Sequence, residues 1–198
     1  MRLSFLMNIA VGAAIFIIYG TFIVLYFIFN RKKDGRAYGV AYINSIVCYG
    51  LCLAAFALLP QTGGERSENF IPFINFLKNG EEGRTFEFAH FLGYALKAAL
   101  NILLFMPLGI FTAVYCKLNY VRRPVLCAFL LSLAVSIGIE FLQWLLSLNR
   151  AIDIDHVIYN VLGAVTGVFI FKLIQYKAFV RRYLKMLRLS GDVDQILS

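Results

Sequence analysis

The chain carries no nucleophilic serine elbow, no phosphate-cradling glycine loop and no paired-cysteine metal motif, so the usual signatures of serine hydrolases, nucleotide-binding proteins and zinc modules are missing. Its four cysteines do not build a disulfide framework. Cys48 and Cys52 sit four apart in one apolar run and Cys116 and Cys127 flank a short basic connection. All four read as small apolar packing side chains rather than redox or metal groups. There is no internal repeat, no low-complexity tract and no composition break that would mark a second domain. Residues 1–198 therefore read as a single unit, and no inverted repeat or broken helix pair supports a transporter.

What the sequence has in excess is apolar length. It is 61% hydrophobic with a mean hydropathy of +0.76, above the roughly 45 to 50% apolar content of soluble domains. The excess is concentrated in five runs, Phe5–Phe29, Tyr38–Leu59, Phe91–Tyr115, Val125–Leu148 and His156–Ile174. Each is long enough to cross about 30 Å of hydrocarbon as a helix. The expected fold is all-α, a polytopic membrane bundle of about five transmembrane helices. The first run is too long for a signal-peptide core and has no small-x-small cleavage site before Arg31-Lys32-Lys33, so it is expected to remain as an anchor helix.

The cations give an expected orientation. If the N-terminus is outside, 13 of the 19 Lys and Arg fall on inner segments, 5 on outer segments, and Lys97 lies within the membrane. This asymmetry favours N-out and C-in. The net charge of +8 is accordingly read as a topology signal, with no nucleic-acid partner expected. The basic tail, residues 175–198, is expected on the cytoplasmic side against anionic lipid.

Two ionisable residues interrupt the apolar runs, Lys97 and Glu140. A lone charge at mid-bilayer costs roughly 2.5 to 3.5 kcal/mol on insertion scales, so the two are expected to meet each other or a shared polar site. Periodicity supports this: His90, Tyr94, Lys97 and Asn101 fall on one face of the third span, and Ser132, Ser136, Glu140, Gln143 and Ser147 on one face of the fourth. Counted from the outer ends, Lys97 is roughly 10 Å deep and Glu140 roughly 12 Å. The fourth and fifth spans are joined by Asn149-Arg150-Ala151-Ile152-Asp153-Ile154-Asp155-His156, a turn with one cation and two carboxylates. Asn160 follows on the face of Gly163 and Gly167, whose spacing allows close helix approach. The long outer connection, residues 60–90, contains the apolar stretch 69–77, too short to span and suited to an interfacial or re-entrant position.

Five ordered segments resemble the motifs of VanZ-like membrane proteins. They are Asn69-Phe70-Ile71-Pro72-Phe73, Asn101-Ile102-Leu103-Leu104-Phe105-Met106-Pro107-Leu108-Gly109, Glu140-Phe141-Leu142-Gln143, Arg150-Ala151-Ile152-Asp153-Ile154-Asp155 and Asn160 to Gly167. The resemblance covers about residues 69–171 and leaves out the first two spans and the basic tail. It implies a bacterial cell-membrane protein associated with resistance to teicoplanin and other lipoglycopeptides. It implies no particular reaction.

The residues themselves suggest an outer-leaflet pocket of Lys97, Asn101, Glu140, Gln143, Arg150, Asp153, Asp155 and Asn160. Cations there suit a phosphate or carboxylate, and the carboxylates and amides suit hydroxyls, amides or an ammonium. One expectation is binding of a lipid-linked envelope component or a lipidated antibiotic with no bond broken. The alternative is an enzyme acting on an envelope lipid or cell-wall precursor, with Glu140, Asp153 and Asp155 as acid/base groups and Lys97 or Arg150 facing developing negative charge. A third reading has the same polar groups simply joining helices. No cofactor is expected, and a metal on Asp153, Asp155 and His156 matches no standard ligand spacing. Membrane lipids are the remaining expected partners, and the oligomeric state is not encoded in any of these features.

Overall fold

The computed structural model describes residues 35–58, 68–69, 88–146 and 152–197. They form five helices, α1 (Gly35–Leu58), α2 (Phe88–Leu118), α3 (Pro124–Leu145), α4 (Ile154–Ile174) and α5 (Ala178–Leu197), and two short strands, β1 (Glu68–Asn69) and β2 (Ile152–Asp153). The first apolar run, Arg150, most of the 60–90 connection and the re-entrant candidate 69–77 beyond Asn69 lie outside the described residues. Among those that are described, α1 to α4 are long and apolar enough to cross a membrane. The chain is a multi-pass membrane protein.

The bundle is built around α4. Along its length α4 lies against α2 with the two backbones nearly touching. A β-carbon added to Gly163 would collide with the Ile102 carbonyl, one added to Gly167 with the Met106 carbonyl, and one added to Gly109 with the Ala164 carbonyl. These contacts advance in the same direction on both helices, so α2 and α4 run parallel. Without a hydrophobic driving force between helices in lipid, such small-residue notches supply the dispersion contact that holds them. Gly163 and Gly167 therefore pack as their spacing predicts, and Gly109 of the Pro107-Leu108-Gly109 segment supplies the reciprocal notch.

α1 crosses α2 in the opposite sense. The Tyr42 hydroxyl donates to the Phe111 carbonyl at 3.0 Å and the Tyr49 hydroxyl to the Leu104 carbonyl at 3.0 Å. Pro107 has no N–H for the Leu103 carbonyl one turn back, and the Tyr49 contact sits one residue from that gap. The outer faces of these helices expose large apolar side chains, including Ile43, Leu51, Leu103, Leu130 and Phe141, as lipid contact requires. Phe141 and the exposed Trp144 stack near the end of α3 with ring centroids 6.1 Å apart, a placement suited to the membrane interface.

At the opposite end the chain turns twice. α2 ends in a Schellman arrangement, with the Val121 N–H donating to the Cys116 carbonyl at 2.8 Å and Tyr120 in the left-handed region at φ 56°. Glycine usually takes that position because a side chain there costs roughly 1–2 kcal/mol. α3 then starts at Pro124, where a missing N–H is harmless. The basic tail is a helix docked on the bundle. Leu187 of α5 is buried with Ala113, Val114, Ala128, Ala164, Val168 and Phe171, and Val180, Tyr183 and Leu184 pack against that cluster. Tyr183 meets Tyr38 edge-on, with centroids 5.8 Å apart, and burial pushes its phenol above the ordinary value.

Candidate functional site

The bundle end that carries β1 and β2 collects the polar side chains. α3 and α4 run antiparallel there, and their polar stripes interlock. Asn160 Nδ2 donates to Ser136 Oγ at 2.8 Å in a buried hydrogen bond. One turn toward the strand end, His156 Nδ1 lies 3.4 Å from Glu140 Oε1. Gln143 and Asp155, beyond that pair, are buried and each engaged by a neighbour. Toward the bundle centre Ser132 is fully buried and returns its hydroxyl to the Phe129 carbonyl at 3.0 Å.

Among the described residues, four buried polar atoms have no hydrogen-bond partner: Glu140 Oε2, His156 Nε2, Asn160 Oδ1 and Asn101 Nδ2. The first three lie along the α3–α4 seam. Asn101 adjoins Ile102, whose carbonyl abuts Gly163, which puts it within a turn of Asn160 in depth. Leaving a buried polar group unpaired costs about 1–3 kcal/mol, and native proteins keep few such groups. Two of these atoms are acceptors, one is a donor, and the imidazole nitrogen serves as either according to its protonation. Together they make a partly satisfied polar seam with spare valence for hydroxyls, amides or an ammonium.

The expected pairing of Lys97 with Glu140 is not what the helices make. Lys97 is exposed, and the ionisable neighbour of Glu140 is His156. The reason is angular. The face of α2 that abuts α4 passes through Ile102, Met106 and Gly109, and at 100° per residue Lys97 falls well outside it. Of the remaining expected site residues, Asn101, Glu140, Gln143, Asp155 and Asn160 gather at this end of the bundle. The Asp153 backbone does too, paired in β2 with Asn69 of β1, and Ile152 pairs with Glu68. Asp153 immediately precedes α4. Its side chain and all of Arg150 lie outside the described residues.

Sequence reasoning missed His156 as the partner of Glu140 and Ser136 as the partner of Asn160. The signal was present, since Ser136 and Glu140 are four apart, as are His156 and Asn160, and two antiparallel helices with matched four-residue steps meet at both rungs. Among the described residues no group of three or more His, Cys, Asp and Glu side chains is placed to hold a metal ion.

The parallel pairing of β1 with β2 also ties the Asn69 segment to the Asp153 turn, so two of the motifs noted in the sequence are physically joined above the seam. No curated protein and no solved structure matches the chain. The VanZ/LLP1 family profile matches residues 16–175, reaching well beyond the 69–171 stretch to take in α1 and part of the first apolar run. With the match spanning most of its length, the chain belongs to the VanZ/LLP1 family.

Proposed function

We propose that this VanZ/LLP1 protein binds the polar headgroup of a lipid-linked envelope component, or of a lipidated glycopeptide such as teicoplanin, at the α3–α4 seam, and so contributes to lipoglycopeptide resistance in a bacterial cell membrane. The observation that carries this reading is the set of four unpartnered buried polar atoms on Asn101, Glu140, His156 and Asn160. Helix adhesion alone gives no reason to leave them unpaired, whereas a ligand hydroxyl or amide completes them. In the N-out, C-in orientation that the 13 to 5 division of cations favours, the seam opens to the outer leaflet. Acyl chains would then remain in the bilayer while the headgroup meets Glu140, Gln143, Asp153, Asp155 and Asn160, with Arg150 toward a phosphate or carboxylate.

The test is protection of a glycopeptide-sensitive host. Glu140→Gln, His156→Gln, Arg150→Gln and Asp153→Asn should each remove protection against teicoplanin while membrane level stays near wild type. Loss of protection together with loss of protein would return the seam to a purely structural role. Full protection from all four variants would rule the site out.

A second reading rests on the Glu140–His156 pair. A carboxylate held against one imidazole nitrogen while the other stays unpaired is the arrangement of a general base. If the protein modifies an envelope lipid, mass spectrometry of lipids incubated with purified protein will show a product that vanishes in His156→Gln. Stoichiometric capture with no product favours binding.

A further inference from the structure

At the end of the bundle away from the polar seam, α5 and the turn before it form an open-sided cavity of about 350 Å³ against the last turn of α2. Lys117, Arg181, Lys185 and Arg188 supply its charge, and among the described residues no carboxylate lines it. Leu118 and Leu184 form its apolar wall. These residues come from segments far apart in sequence, and packing of Tyr183, Leu184 and Leu187 onto the core is what brings them together. Much of the lining lies beyond residue 175, where the family match ends.

Four like charges facing one space repel one another, so the arrangement favours an occupant that is negative. The backbone adds to the argument. Tyr120 holds a left-handed conformation at φ 56°, and its ring lies 5.1 Å beneath the Arg188 guanidinium. A residue with a side chain in that conformation orients Arg188 at the rim, a service that glycine cannot provide. Tyr176, which lines the cavity, and Leu173 and Phe179, three residues to either side of it in sequence, are strongly exposed, as suits side chains at the level of lipid headgroups rather than in water. A cationic ring beside an apolar wall at that level fits a phosphate on an amphiphile.

We infer that this cavity binds the phosphate of an anionic phospholipid from the leaflet that this end of the bundle reaches, and that the bound lipid clamps α5 onto the membrane domain. The inference does not depend on the α3–α4 seam. Full-length protein extracted in mixed micelles of phosphatidylglycerol and phosphatidylcholine is examined by native mass spectrometry. Wild type should retain phosphatidylglycerol selectively. Arg181→Gln/Arg188→Gln, and separately Lys117→Gln/Lys185→Gln, should each lower retention about tenfold. Arg122→Gln/Arg123→Gln, which removes two exposed cations of the same end that do not line the cavity, should leave it unchanged. Equal retention of phosphatidylcholine would overturn the proposal, as would an equal loss in the Arg122/Arg123 variant, which would mean diffuse surface charge. Displacement of the lipid by inorganic phosphate would overturn the lipid as occupant and leave a site for the free anion. Measuring all variants at matched helical circular dichroism keeps a folding defect from passing as lost binding.

Discussion

Glu140 poses the sharpest electrostatic problem in the bundle, because only 12% of its side chain is accessible inside a membrane span. An ionised carboxylate there needs a partner, and His156 is the one the antiparallel register delivers. With a neutral imidazole, Nδ1–H faces Oε1. With a protonated one the pair is ionic, and in both cases Nε2 stays unpaired among buried atoms. A double-mutant cycle separates the two proposed neighbours of Glu140. Glu140→Gln combined with His156→Gln should deviate from additivity by about 0.5–3 kcal/mol, whereas Glu140→Gln combined with Lys97→Met should add within roughly 0.5 kcal/mol. Detergent-solubilised thermal or chemical unfolding measures both, and strict additivity of the first pair would mean that the 3.4 Å contact carries no energy. That Glu140 sits in a polar site was legible from its cost in hydrocarbon. The identity of its partner was not, because helix rotation is set by where glycine lets backbones approach, and Lys97 lies on the wrong side of that line.

The elements show the same division between what pattern encodes and what packing decides. Apolar runs gave α1 to α4 to within a few residues at each boundary, since length and hydropathy are properties of the segment itself. The docking of α5 is encoded too, in apolar Val180, Tyr183, Leu184 and Leu187 at helical spacing between cations, although spacing alone does not say which face of the bundle receives them. Gly109 was the least legible, because a glycine notch has meaning only against a specific facing backbone. Substitution makes the distinction measurable. Gly109→Ala, Gly163→Ala and Gly167→Ala each place a methyl group into a backbone carbonyl, and each should destabilise by about 1–3 kcal/mol through forced separation of α2 and α4. Gly138→Ala on α3 and Gly50→Ala on α1 meet nothing within 4 Å and should be neutral or stabilising by up to about 1 kcal/mol, the ordinary gain of alanine over glycine in a helix. Melting temperatures that fall equally in both sets would mean that the α2–α4 contact is looser than the structure has it.

At the scale of the whole molecule, polar chemistry and positive charge are segregated to opposite ends. The Glu140–His156 seam and the β1–β2 pair occupy one end, and Lys117, Arg122, Arg123, Lys172, Lys177 and the cations of α5 occupy the other. In a membrane this segregation favours the N-out, C-in direction, because loops rich in Lys and Arg near the ends of spans tend to be retained on the cytoplasmic side. In that orientation the α5 cavity would face the leaflet richer in anionic lipid, and the proposed seam site would face the opposite surface, which an externally applied lipoglycopeptide reaches first. Orientation is therefore the assumption on which both sites depend for their biology, and it can be checked without reference to either. In a variant whose four native cysteines are replaced by alanine, single cysteines are introduced as Glu81→Cys, in the long connection before α2, and Arg122→Cys, in the exposed turn between α2 and α3. A membrane-impermeant maleimide applied to intact cells should label position 81 and reach position 122 only after permeabilisation. Labelling of 122 but not 81 would invert the molecule, place the seam on the cytoplasmic side, and remove the basis for contact with an externally applied antibiotic.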